Sequence, residues 1–149
     1  MVLPLLFASP VLVSASASTF TIHISGTLVF PVTPVTCSNG VTLPGGTLSA
    51  PFSGVVHLTN TSSGGMKFTS TLHGTFLVVG DNGVNFTGHF MLWEGGVAHA
   101  TSAGFEFGFT NNFNGQGTDG SHALLHFNGQ LTVNANGVVT ANVTDTHCR

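Results

Sequence analysis

The chain has 149 residues, 42% of them hydrophobic and 5% charged, with a net charge of −3. That length supports one domain with its own core, and the apolar share excludes a disordered chain. Its only basic residues, Lys67 and Arg149, are too few to neutralise a phosphate backbone or hold an anionic lipid surface, so nucleic acid is excluded as a partner.

Residues 1–17 read as a secretion signal. Val2 to Val13 is mostly apolar, and Ala15-Ser16-Ala17 offers a small-x-small cleavage site before Ser18. A positive n-region is missing, which points to a start further upstream. The apolar run is shorter than the roughly 20 residues a spanning helix needs, so no membrane span is expected. The alternative is an extra N-terminal strand. The expectation is an exported chain whose single antiparallel β domain covers 18–149.

Phe20 to Phe30 alternates, with Phe20, Ile22, Ile24, Leu28 and Phe30 on one parity and His23, Ser25 and Thr27 on the other. Period-2 alternation marks a strand with one buried face. Pro31 and Pro34 end it or mark it as an edge. Cys37 and Cys148 are the only cysteines. In an exported chain an even count favours a disulfide, here tying the start of the domain to its end. Ser38-Asn39-Gly40 is a turn signal, Val41 to Leu43 a short strand, and Thr47 to Asn60 a longer one.

Met66 to Trp93 carries the strongest pattern. Phe68, Leu72, Phe76, Val78, Val84, Phe86, Phe90 and Leu92 all fall on even positions. A two-residue Asn82-Gly83 loop would set even residues opposite odd ones and put the apolar sets on opposite faces. A three-residue loop, Asp81-Asn82-Gly83, pairs Gly80 with Val84 and keeps them together, with Gly83 in the left-handed position. In this register Phe76 faces Gly88, Phe90 faces Gly74, His73 faces Met91 and His89 faces Thr75. Each phenyl ring is expected to cover the bare glycine opposite.

Gly95 to Ala103 is small and flexible in composition, although Val97 to Thr101 can extend a strand. Phe105, Phe107 and Phe109 define another strand. Asn111 to Gly120 reads as a polar loop. Ser121 to Asp145 is a second hairpin, where a three-residue Ala135-Asn136-Gly137 loop pairs Val133 with Val139 and Leu131 with Ala141. No helical period appears. Short turns between long strands predict an all-β fold: an antiparallel up-and-down barrel of about eight strands, with a β-sandwich as the alternative.

Chemistry is sparsely marked. His73 and His89 are diagonal neighbours on the Thr-rich face, and a metal there needs a third ligand such as His57, His99, His126 or Glu94. No ligand spacing supports one, and a polar surface explains the histidines as well. Glu94 and Glu106 are a candidate acid and base pair, against the plainer reading of two solvated carboxylates. No Gly-x-Ser-x-Gly elbow or phosphate loop is present. Thirteen Phe and no Tyr make a dry set that fills a small barrel or lines an apolar pocket in a wider one.

TCSNG around Cys37, the strands FTSTLHGTF and FTGHF, and the tail LTVNANGVVTANVTDTHCR resemble a family of small secreted bacterial proteins, chiefly actinobacterial and uncharacterised. The likeness covers Val35 to Arg149 and implies a secreted, β-rich domain with paired cysteines. It brings no activity and no functional residue. One apolar face rich in Phe, a neutral polar face and no catalytic constellation give the leading expectation: a secreted, non-enzymatic β-barrel that binds a small apolar ligand or simply decorates the cell exterior, monomeric or weakly self-associating. No cofactor, metal or catalytic residue is assigned. The alternatives are a barrel-type enzyme using His89, Glu94 or Glu106 at one mouth, and a self-associating cell-surface structural protein.

Overall fold

The computed structural model describes residues 17–98 and 104–149. The signal reading of the first residues, and His99, lie outside them. The described chain is all β. Its strands are β1 (Ser18–Val32), β2 (Val35–Thr36), β3 (Thr42–Leu43), β4 (Gly46–Asn60), β5 (Met66–Gly80), β6 (Phe86–Ala98), β7 (Phe105–Gly117), β8 (His122–Val133) and β9 (Val139–Cys148). Seven of them form one antiparallel sheet in the order β1-β4-β5-β6-β7-β8-β9, and β2 pairs with β3. The up-and-down order matches the expectation. No closed barrel is found: β1 and β9 are the two ends of the order, with no ladder joining them among the described residues.

The turns follow one rule. Gly83 has φ 82°, its N–H donates to the Gly80 carbonyl at 3.0 Å, and Val78 pairs with Phe86, the even-to-even register predicted from sequence. Gly40, Gly64, Gly120 and Gly137 occupy the same left-handed position in four further three-residue loops. The residue before the glycine, or the one that opens the loop, often supplies a side-chain acceptor. Asn39, Asn82 and Asp119 each accept from the backbone N–H two residues on, and Asn134 does so at the last hairpin. Val133 pairs with Val139 and Leu131 with Ala141 as expected; a bulge at Asn128/Gly129 then shifts the remaining rungs.

One expectation is corrected. Asn111 to Gly117 is strand, not loop, and the connection shrinks to Thr118–Ser121. The odd-position set Phe105, Phe107, Phe109 continues through Asn111, Phe113, Gly115 and Gly117. A backbone ladder to β6 and β8 satisfies the polar residues' main chain whatever their side chains prefer.

The core lies under the β2–β3 hairpin. Phe86 is fully enclosed, and Leu48, Ala50, Phe76, Val78, Phe90 and Ala123 are buried around it. Burial of a Phe of this kind stabilises by roughly 1.5–3 kcal/mol. Val32, Val41 and Leu43 pack the hairpin onto this cluster. Cys37 at the hairpin tip is disulfide-bonded to Cys148 on β9, with Cα atoms 4.6 Å apart, and the Ser38 N–H donates to the Cys148 carbonyl at 2.9 Å. The bond spans 111 residues, and closing a loop of that length is worth about 4–5 kcal/mol in the chain-entropy view. It brings the first and last parts of the domain together at one end of the sheet.

Candidate functional site: the inner face and its cavity

Large and small residues alternate across the strands of the inner face. One row runs Gly26, Phe52, Gly74, Phe90; another runs Phe68, Gly96, Phe107. A methyl at Gly74 would meet the Phe90 ring at 2.9 Å, so Phe90 lies over Gly74 as its register predicts. Phe76 behaves differently. It is paired with Gly88, but its ring reaches past that residue to β7, where a methyl at Gly115 would meet the ring tip at 2.7 Å. Two facing glycines, Gly88 and Gly115, leave it the room.

The rings join into a continuous ribbon. Phe76 and Phe90 contact Phe113 with centroids 5.4 and 5.8 Å away, Phe113 contacts Phe127 at 5.9 Å, and Phe127 contacts Phe109 at 6.0 Å. Phe109 continues to Phe107, which meets Phe68 and Phe105. These distances suit offset and edge-to-face contacts.

The ribbon does not fill the interior. A cavity of about 410 Å³ remains beneath the hairpin, lined by Val32, Val35 and Leu43 on one side and by Leu48, Phe76, Val78, Phe86, Phe113, Ala123, Leu125 and Phe127 on the others. Residues from β1 through β8 share this one space. Its volume is within the range of small-molecule sites, and its lining is almost wholly hydrocarbon.

Ser70, Glu94 and Asn111 face inward further along the sheet. Ser70 is buried and hydrogen-bonds the carboxylate of Glu94, its cross-strand partner. Partial burial holds the Glu94 carboxyl above its ordinary range, with the Ser70 bond pulling the other way. Asn111 faces Leu92 and Phe127 across its two ladders, and its Oδ1 is buried with no hydrogen-bond partner. Such an orphaned acceptor costs about 1–3 kcal/mol. Their parity with the flanking apolar residues, Phe68 and Leu72 for Ser70 and Phe109 and Phe113 for Asn111, is the sequence signal that places both on the inner face.

The outer face holds histidines of the described residues. His73, Met91, Asn112, His126 and His147 form one row across β5 to β9, with Thr75, His89, Asn114 and Leu124 in the next. They line a surface concavity of about 1150 Å³. His126 is held between two amides: Asn112 Oδ1 takes a hydrogen bond from its Nδ1, while its Nε2 accepts from Asn128 at 3.2 Å. Asn128 in turn accepts from the Thr110 hydroxyl at 2.7 Å. His73 is within 3.3 Å of Ser53 and His57 within 3.0 Å of Thr21, each across a strand pair. Among the described residues no three of His, Cys, Asp and Glu gather as a metal site.

Glu94 and Glu106 do not form a pair. Glu94 lies within β6, not at its end, and shares the inner face with Phe109; Glu106 is exposed on the outer face, opposite Val97 and Thr132. His89 is also on the outer face, so the sheet separates it from Glu94. Compared with family models, with curated proteins and with solved structures, the chain matches none of them.

Proposed function

We propose that this chain is an exported, non-enzymatic binding protein that holds a small apolar molecule inside a curled, barrel-like sheet. The cavity under the hairpin carries the reading. Phe side chains packed solid would leave no room for a ligand, whereas about 410 Å³ stays open between them. Phe76 of β5 touching Phe113 of β7, and a space lined from β1 to β8, support the curl over a flat sandwich layer. The disulfide supports export, since such bonds persist in oxidising compartments. The separation of Glu94 from Glu106 and His89 across the sheet favours this reading over a barrel-type enzyme that uses them together.

Native mass spectrometry of the protein purified from its own host tests this. The expected spectrum shows a mass above that of the chain, lost on gentle activation as a neutral apolar species recoverable in organic solvent. A bare chain mass in every preparation, with nothing extractable, would contradict it.

A further inference from the structure

The proposed cavity leaves one long element unexplained. β1 pairs with β4 along one side only, so alternate backbone N–H and C=O groups over its 15 residues point away from the sheet. Native edge strands are commonly guarded by charge, proline, bulges or shortness. β1 has one such guard, Pro31 near its C-terminal end; the rest of it contains no Lys, Arg, Asp or Glu and is regular in its register with β4. Four of its inner-face side chains are also exposed, Phe20 by 55%, Ile22 44%, Leu28 43% and Phe30 45%, while Ile24 and Val32 are half-buried. Its outer-face hydroxyls are tied sideways to β4, as in Thr19 to Thr59 and Thr21 to His57, and leave the edge itself open.

Along the inner face of β1, Phe20 and Phe30 stand at equal distances from Ser25, the midpoint of the strand, as do Ile22 and Leu28, while Ile24 is matched by Gly26. We propose that β1 is a homodimer interface, pairing antiparallel with β1 of a second copy about a two-fold axis at Ser25. In that register Phe20 meets Phe30 of the second copy, Ile22 meets Leu28, and Ile24 meets Gly26. The last contact sets large beside small, as within the sheet itself. All inner-face residues stay on one face, so the two inner surfaces become continuous. A two-fold interface is self-complementary by construction, and an antiparallel edge-to-edge pairing meets that demand with a single strand. A second copy fits better than a charged partner, because neither the edge nor its apolar side offers a charge to recognise.

Ser25→Cys and Thr27→Cys, each in the full chain, test the register. Ser25 is exposed on the outer face, so its replacement leaves the core intact. Across the axis, directly opposed Cα atoms lie about 4.5–5.5 Å apart, within disulfide reach. Thr27 faces His23 of the second copy and is displaced from its own counterpart. Light scattering should give a dimer for the parent chain and a monomer for Ile22→Lys. Under air oxidation Ser25→Cys should cross-link nearly completely and Thr27→Cys only slightly. A monomer at every concentration overturns the proposal. So does a dimer in which Ser25→Cys fails to cross-link, or in which Thr27→Cys links as readily.

Discussion

Glycine and phenylalanine divide the inner face between them, and each explains the other. Gly74 must lack a side chain because Phe90 and the Pro51 carbonyl occupy the space where Cβ would stand. Phe90 can lie flat because Gly74 offers no obstruction. Glu94 departs from this scheme, being a half-buried carboxyl on a hydrocarbon face, hydrogen-bonded by Ser70. Its raised folded-state pKa fixes the sign of its effect on stability. Below its ordinary value of 4.5 the group is protonated in both states and carries no penalty. As pH rises through the raised folded value, the native state must ionise a half-buried group, and stability falls. Glu94→Gln removes that dependence. Melting temperatures across the acid to neutral range should show the variant gaining on the parent as pH rises, with the gap narrowing on acidification. A gap that stays constant with pH would mean that Glu94 ionises as freely in the fold as outside it.

The β5–β6 hairpin is the element that sets this architecture, and its turn is the control point. Gly83 sits at φ 82°, and a methyl added there would meet nothing within 4 Å, so only backbone conformation opposes a side chain. Gly83→Ala should therefore cost about 1–2 kcal/mol in chemical denaturation, and Gly83→Asn clearly less, since Asn tolerates the left-handed region. Equal losses for both would place the cost in packing instead. The registers of both main hairpins were legible in sequence because one face must stay apolar and a turn of the wrong length breaks that. The same parity runs through Phe105, Phe107, Phe109 and Phe113 and would have extended β7 to Gly117. The polar residues between Thr110 and Gln116 hid it, because side-chain composition marks a loop while the backbone ladder decides a strand. Phe76 reaching to Gly115 was not legible, since it depends on which neighbour two strands away also lacks a side chain.

At the scale of the whole molecule, the sheet, the hairpin cap and the disulfide serve one arrangement. Seven strands in sequence order present a Phe-lined inner face, and the β2–β3 hairpin, held to β9 through Cys37–Cys148, packs against it and lines one side of the cavity. The site was only half visible in the sequence. Its residue types were evident from thirteen Phe, most of them on alternating positions, but whether they leave a space depends on curvature and on the hairpin's seat, which alternation does not encode. Occupation of this space by an apolar ligand is measured most directly by titration with an apolar fluorophore whose emission rises on leaving water, using the parent chain, Ala123→Leu and Thr87→Val. Ala123 is buried against the cavity, and its enlargement fills the space; Thr87 is exposed on the outer face and serves as the control. Saturable binding near one probe per chain is expected for the parent and Thr87→Val, with a loss of at least about tenfold in affinity, roughly 1.4 kcal/mol, for Ala123→Leu. Binding that is absent in the parent, or unchanged when Ala123 is enlarged in a folded variant, would contradict it.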